Sequence, residues 1–145
     1  ALKYYNKIYC GTVEKKLLEK NFFDVVLCYH TIEHVQDPIS MIKHVNKIMK
    51  PGGHLIIGTP DFDCAMARRY KKKFRLLSDP THISLFSNDG LSKLLEHNGF
   101  TINYKDFPYF DESHFNKKDL MRVFDTSKVS PPFYGNILTF YCTKN

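Results

Sequence analysis

The chain has 145 residues, of which 43% are hydrophobic and 25% are charged, and its formal net charge is +6. This composition is typical of one soluble globular domain, and the longest apolar runs, FFDVVLCY and HLIIGTP, are too short to span a bilayer. The first residues show no basic stretch followed by an apolar one, so no targeting segment is predicted and a cytoplasmic location is expected.

The first predicted elements are a strand, a helix and a second strand. KIYCG (residues 7–11) is predicted to be a short strand ending at a glycine, and TVEKKLLEK (12–20) a short amphipathic helix. FFDVVLCY (22–29) is apolar at successive positions, which predicts a strand buried on both faces. Strands of that kind belong to parallel sheets covered by helices.

The next helix has the clearest boundaries. Asp37 is a favourable N-cap, and Pro38 occupies the first helical position, where its missing N–H costs nothing. Apolar residues then recur at helical spacing, and KPGG (50–53) predicts the end of the helix before the strand HLIIGTP (54–60). The apolar stripe comprises Ile39, Ile42, Val45, Ile48 and Met49. Strand, helix and strand form a predicted βαβ unit.

A last helix and two strands follow. Ser87 is predicted to cap a helix that carries Leu91, Leu94 and Leu95 and ends at Gly99. FTINYKDF (100–107) and NILTFYCT (136–143) are predicted to form an antiparallel pair at the end of the sheet. Residues 111–135 between them are expected to form an irregular insertion of functional or mobile character. The predicted fold is α/β, with a mostly parallel sheet and helices on its faces.

The four cysteines are widely spaced and include no CxxC pair. Three of them lie in apolar runs, where cysteine usually acts as a small buried hydrophobe. Neither a disulfide framework nor a thiolate zinc site is predicted.

His30, Glu33 and His34 lie close together directly after a predicted strand. The spacing fits H-x-x-E-H, in which two histidines ligate zinc and the glutamate activates water. That chemistry needs both histidines on one face of a helix, whereas the predicted helix starts only at Asp37. A zinc hydrolase is therefore kept as a remote alternative. The other two possibilities are a cofactor pocket at the end of the strand and a structural cluster that anchors the loop.

The segment FDVVLCYHTIEHVQDPISMIKHVNKIMKPGGHLIIGTP (23–60) resembles the class I S-adenosylmethionine-dependent methyltransferases. That family has an F-D-x-V strand, an E-H-V/I pair, an Asp-Pro helix start, K-P-G-G and a strand ending in T-P, in this order. DPTHISLFSNDGLSKLLEHNGF (79–100) is similar to a later segment of the family. The resemblance implies a Rossmann-like fold, S-adenosylmethionine as cofactor and methyl transfer as activity.

The resemblance also implies positions for the cofactor. The loop after KIYCG would lie over the adenine, and the residues that end the strand at 22–29 would contact the methionine end. Because the aspartate often found in the first loop is absent, contact there would depend on backbone groups and on the Thr12 hydroxyl. The implied cofactor-binding residues are Cys10, Gly11, Thr12, Val13, Cys28 and Tyr29.

Two histidines are the candidate catalytic residues. His30 would face the methyl-transfer site, where an imidazole can accept a proton from an attacking hydroxyl. His82 is the other candidate for the substrate pocket. In the ubiquinone-biosynthesis O-methyltransferases, a cluster at the positions of His30, Glu33 and His34 can hold a divalent cation, but no metal is predicted for this chain.

The family's glycine-rich turn, and the acidic residue that binds the ribose, are missing from the sequence. The chain is therefore interpreted as a single incomplete methyltransferase domain over residues 1–145, corresponding to the C-terminal portion of the fold. By itself it is expected to bind S-adenosylmethionine weakly or not at all. The alternative is a truncated, non-catalytic domain that depends on a partner chain.

The basic run ARRYKKKFR (67–75) bears on the methyl acceptor. A solvated helix face is the simplest interpretation, and an anionic acceptor is the alternative, since the net charge permits one. A small-molecule, sugar or lipid-linked acceptor methylated at oxygen is expected, and no motif favours nucleic acid. Self-association through an exposed sheet edge is a further expectation.

Overall fold

A computed structural model describes residues 7–13, 18–107, 121, 127 and 136–145. Its centre is a four-stranded sheet in the order β1-β2-β4-β3. The strands are β1 (Phe23–Tyr29), β2 (Met49–Pro60), β3 (Phe100–Asp106) and β4 (Ile137–Lys144). Because β1 pairs with β2 in parallel, while β4 pairs antiparallel with both β2 and β3, the sheet is mixed. The Rossmann-like α/β class and the terminal antiparallel pair are confirmed, but "mostly parallel" is wrong for the described strands.

The described ranges up to residue 107 contain four helices: α1 (Pro38–Ile48), α2 (Ala65–Tyr70), α3 (Arg75–Ser78) and α4 (Asn88–His97), with 3-10 turns at Ile32–His34 and Lys71–Lys73. The predicted caps are both formed. The Asp37 carboxylate accepts from Ser40 N at 2.9 Å, and the Ser87 hydroxyl accepts from Gly90 N at 3.1 Å. Each cap satisfies a helix N–H that has no partner within the helix. No helix among the described residues is long and apolar enough to cross a membrane.

The KPGG segment lies within β2 and does not separate the helix from the strand. Residue Phe23 pairs with Met49, whereas Val25 pairs with His54, so β2 carries extra residues opposite Asp24. Gly52 adopts a φ of +74°, and a Cβ on Gly53 would lie 2.9 Å from the Lys50 carbonyl oxygen. The two glycines therefore permit a bulge that side chains would block.

One face of the sheet packs against α1 and α4 and forms the main core. Its members are Cys28, Ile42, Val45, Leu55, Ile57, Leu91, Leu95 and Phe140, among others. The opposite face of β1 stays open, since Val25, Leu27 and Tyr29 are 50%, 65% and 47% exposed. The prediction that this strand is buried on both faces is wrong. Only alternate side chains of β1 point toward the helices, and β1 lies at an edge of the described sheet.

The predicted strand at residues 7–11 is also wrong. Residues 7–10 are exposed and have no regular structure, because the segment pairs with no strand of the described sheet. Residues 18–20 are not helical, and residues 14–17 of the predicted helix lie outside the described residues. The expected insertion at 111–135 also lies outside them, apart from residues 121 and 127.

A second, smaller core lies beneath the basic run. Met66, Ala67, Tyr70, Phe74 and Leu76 are all buried together. The basic side chains alternate with these apolar ones, and Lys71, Lys72 and Lys73 are exposed. This segment is therefore amphipathic, with its positive charge directed outward.

Candidate functional site

The candidate site lies at the carboxyl ends of the parallel strands β1 and β2, where open α/β sheets bind their ligands. Two loops meet there, residues 30–36 after β1 and residues 79–86 before α4. The Glu33 carbonyl oxygen accepts from Ile83 N at 2.9 Å and from Ser84 N at 3.0 Å. The Ser84 hydroxyl donates in return to the Val35 carbonyl at 2.9 Å. These bonds fix the two loops to each other.

The Glu33 carboxylate is buried at the centre of the site. Its Oε2 accepts from the Thr59 hydroxyl at 3.0 Å, and Thr59 is itself buried at the end of β2. Its Oε1 lies 3.3 Å from His30 Nδ1, a distance that permits electrostatic attraction, but no well-aligned hydrogen bond reaches this oxygen. Burial raises the pKa of Glu33, but the contacts with His30, the backbone and Thr59 outweigh burial and leave the pKa below its usual value. The site therefore contains a buried negative charge.

His30 has an unusual backbone conformation directly after β1. Its φ is +47°, and its N–H donates to the Gly58 carbonyl at 2.9 Å. A left-handed conformation is unfavourable for a residue with a Cβ and is often found at functional sites. Because the side chain is about half exposed, His30 can meet both the buried carboxylate of Glu33 and solvent.

His34 and His82 face each other across the two loops, with ring centroids 4.9 Å apart. His34 Nδ1 lies 2.9 Å from the Thr81 carbonyl oxygen, and His82 Nδ1 lies 2.6 Å from the Leu76 carbonyl oxygen. A carbonyl only accepts, so each Nδ1 donates, and each neutral ring keeps its lone pair on Nε2. One potential ligand atom from each of Glu33, His34 and His82 lies within 4.8 Å of the others.

The structure places each predicted catalytic histidine near Glu33: His30 Nδ1 lies 3.3 Å from Oε1, and a ligand atom of His82 lies within 4.8 Å of a Glu33 carboxylate oxygen. It does not form the H-x-x-E-H zinc geometry, because His30 ends a strand and only Ile32–His34 form a short 3-10 turn. The two histidines of that motif thus do not share a helix face.

The predicted cofactor residues have different environments. Tyr29 is half exposed on the open sheet face, and its ring covers Gly58 so closely that a Cβ there would lie 2.5 Å from Tyr29 Cδ1. Burial and the neighbouring Tyr141 and Asp106 raise the pKa of the Tyr29 hydroxyl. The Cys28 side chain instead points into the core, where burial raises the pKa of its thiol to about 11. Only the backbone of Cys28 remains for a cofactor.

The N-terminal group of predicted cofactor residues is mostly exposed. Cys10, Gly11 and Thr12 are exposed, whereas Val13 packs against the main core that contains Cys28 and Ile32. This packing brings Val13 to the core beneath the candidate site. The cofactor contacts of all four residues remain predictions.

Sequence reasoning did not identify Thr59 or Asp61 as members of this region. Thr59 could have been found as the only hydroxyl at the carboxyl end of an apolar strand that lies next to β1. Asp61 follows two residues later and is half-buried, and burial raises the pKa of its carboxyl group. Its backbone forms a bridge to Phe86 at the end of the second loop.

Comparisons with known proteins agree with this architecture. A profile of the family described as a methyltransferase domain matches residues 8–105, more than half of the chain. Ubiquinone biosynthesis O-methyltransferase of Aliivibrio fischeri is 49% identical over 37 residues, which are 26% of this chain and 16% of that protein. The enzyme of the same description from Colwellia psychrerythraea is 45% identical over 56 residues, 38% of this chain and 22% of that protein.

Solved structures match over much more of the chain. A Thermotoga maritima protein described as an S-adenosylmethionine-dependent methyltransferase has a TM-score of 0.67 and 26% identity, over 93% of this chain and 62% of that one. An Archaeoglobus fulgidus methyltransferase has a TM-score of 0.64 and 17% identity, over 98% of this chain and 69% of that one, and shows the shared fold. The fold, the position of the site and the family profile agree: this chain belongs to the methyltransferase domain family.

Proposed function

We propose that this domain transfers a methyl group from S-adenosylmethionine to a hydroxyl oxygen of a small-molecule, sugar or lipid-linked acceptor. Family membership supports methyl transfer, and the names of the curated relatives favour oxygen as the methylated atom. The observation that carries the proposal is His30, held in a strained conformation at the carboxyl edge of β1 with the buried Glu33 beside it.

The described residues offer a suitable position for the methionine end of the cofactor. The Tyr29 side chain interacts with that of Tyr141, and Tyr29 is half exposed on the open sheet face. Aromatic faces attract cations, and the cofactor carries a sulfonium cation next to its methyl group. Tyr29 and the Cys28 backbone would hold this end, and Cys10, Gly11, Thr12 and Val13 would contact the adenine.

Methyl transfer needs few catalytic groups from the protein, because the sulfonium of the bound cofactor is already an activated electrophile. The chain has to align the acceptor and remove its proton. His30 would accept the hydroxyl proton at Nε2, and the bound cofactor would supply the methyl group and keep the electron pair of the broken sulfur–carbon bond. Glu33 beside Nδ1 stabilises the imidazolium that forms. His82 lies opposite His34 and would line the acceptor pocket.

The test combines binding and turnover. Calorimetric titration with S-adenosylhomocysteine measures cofactor affinity, and transfer of a labelled methyl group to a panel of phenolic and sugar acceptors measures kcat. We expect His30→Asn to lower kcat by about 10²–10⁴-fold with unchanged S-adenosylhomocysteine affinity. The matched control is His97→Asn at the end of α4, which should change neither quantity. An unchanged kcat in the His30 variant would refute the catalytic assignment.

The open face of β1 favours one alternative function. Its exposed apolar side chains form a surface of the kind that packs against another chain. If the protein binds no S-adenosylhomocysteine and methylates no acceptor, but associates through this face, then it is a non-catalytic domain that depends on a partner.

A further inference from the structure

Two loops that are distant in sequence contribute three potential metal ligands to one place. Glu33 and His34 come from the loop after β1, and His82 comes from the loop before α4. The backbone hydrogen bonds of Glu33 to Ile83 and Ser84 hold these loops together independently of the three side chains. The positions of the three side chains are therefore set by backbone hydrogen bonds between the two loops.

Both imidazoles make the second ring contact that is common among metal-ligating histidines. Ligating histidines usually donate their second ring N–H to a carbonyl or carboxylate, which fixes the ring and leaves the other nitrogen as ligand. His34 and His82 each make this bond, to the Thr81 and Leu76 carbonyl oxygens respectively. In each ring Nε2 retains the lone pair.

The carboxylate supplies a second, independent observation. Glu33 is completely buried, and its Oε1 has no well-aligned hydrogen-bond donor. A buried carboxylate oxygen without a hydrogen-bond donor destabilises the folded state unless a positive charge compensates it. His30 contributes part of that compensation from 3.3 Å. A cation held jointly with His34 and His82 would complete it.

We infer that Glu33, His34 and His82 form a binding site for one divalent transition-metal cation. Two imidazoles and one carboxylate match the ligand preference of Zn²⁺ and its neighbours over that of Mg²⁺, which favours oxygen ligands. The ligand atoms lie up to 4.8 Å apart, and a tetrahedral zinc site needs about 3.4 Å. Metal binding would therefore draw the two loops slightly closer together.

This ligand set differs from the His30, Glu33 and His34 group that the family resemblance implied. His30 lies beside Glu33, where it acts on the carboxylate and not on the ion. Three protein ligands would leave one position for water or an acceptor oxygen. The ion would also link the two loops that cover the site, whether or not the protein transfers methyl groups.

The test is titration of the untagged, chelator-treated chain with ZnCl₂, MnCl₂ and MgCl₂ by calorimetry, together with histidine-ring nitrogen NMR. We expect one Zn²⁺ per chain, much weaker Mg²⁺ binding, and Zn²⁺-induced shifts of Nε2 in His34 and His82. His82→Asn and His34→Asn should each weaken Zn²⁺ binding at least 10-fold. Loss of a residue that only hydrogen-bonds to a metal ligand already lowers metal affinity about 10-fold or more, and a ligand itself should matter at least as much.

The control variants separate this site from nonspecific binding. His97→Asn should keep the wild-type Zn²⁺ affinity, His30→Asn should weaken it less than His82→Asn does, and circular dichroism melting verifies that every variant is folded. Loss of binding in the His30 variant but not in the His82 variant would overturn the assigned ligand set. Absence of Zn²⁺ binding by the folded wild-type chain, or equal affinity in all variants, would overturn the site itself. Neither outcome depends on methyl transfer, which the S-adenosylhomocysteine and turnover assays test separately.

Discussion

Replacement of Thr59 by valine removes one hydroxyl from the centre of the candidate site. Valine has nearly the same shape as threonine, so the packing at the end of β2 should be retained. The Thr59 hydroxyl donates to Glu33 Oε2 at 3.0 Å, and both residues are completely buried. In the variant, neither oxygen of the buried carboxylate has a well-aligned side-chain donor, and water cannot replace the missing one.

The expected loss follows from that burial. A hydrogen bond to a charged group contributes about 1.5–3 kcal/mol, and an unsatisfied buried acceptor costs a similar amount. We therefore expect Thr59→Val to reduce the free energy of unfolding by about 2 kcal/mol. For a chain of this length that corresponds to a fall in Tm of roughly 4–10 °C.

Urea unfolding followed by circular dichroism measures the change. Thr101→Val is the matched control, because Thr101 donates to the Asn145 side chain on an exposed strand. Its loss should cost less than about 0.5 kcal/mol. If Thr59→Val is as stable as the control variant, then the buried hydrogen bond does not stabilise Glu33 and the electrostatic description of the site is wrong.

Three further predictions concern other parts of the molecule. Burial raises the pKa of Asp61, so its neutral form favours folding, and this contribution to stability is lost as pH rises through the folded-state pKa. Asp61→Asn should therefore become more stable relative to wild type between pH 4 and pH 7. Equal pH profiles of the two proteins in urea unfolding would contradict this prediction. Burial raises the thiol pKa of Cys28 to about 11 and of Cys142 to about 12, whereas Cys10 is exposed; iodoacetamide at pH 8 should modify Cys10 first, and mass spectrometry showing early modification of the other two would refute their burial. Leu27 is 65% exposed on the open face of β1, where the chain could pack against a second copy of itself. Leu27→Lys should reduce concentration-dependent self-association in analytical ultracentrifugation without lowering Tm. Unchanged self-association would exclude this face as the contact between copies.

Features determined by local interactions were predicted correctly from the sequence. Asp37, Pro38 and Ser87 mark the starts of α1 and α4, because a cap acts on N–H groups only two or three residues away. The antiparallel pair of β3 and β4 was also predicted, since its alternating pattern is visible in each strand. KPGG was predicted to separate helix from strand, but it lies within β2 at a bulge, because a bulge depends on the partner strand.

The burial of β1 could not be predicted from local sequence. Its residues are apolar at nearly every position, and the sequence cannot indicate which of the two faces will be covered. Helices α1 and α4 pack against Val26 and Cys28, and Val25 and Leu27 point away from them. The same reasoning failed for residues 7–10, where a strand-like pattern has no pairing partner in the described sheet.

The sequence by itself determined the order of most elements, the helix caps and the His30–Glu33–His34 group, since all of these depend on neighbours within a few positions. Only the tertiary structure placed His82 opposite His34 and Thr59 beside Glu33, residues separated by 48 and 26 positions. Those contacts exist because parallel pairing brings the ends of β1 and β2 to one edge, where backbone hydrogen bonds then fix the two loops. No local sequence pattern encodes these contacts between the two loops, because they follow from the packing of the whole sheet.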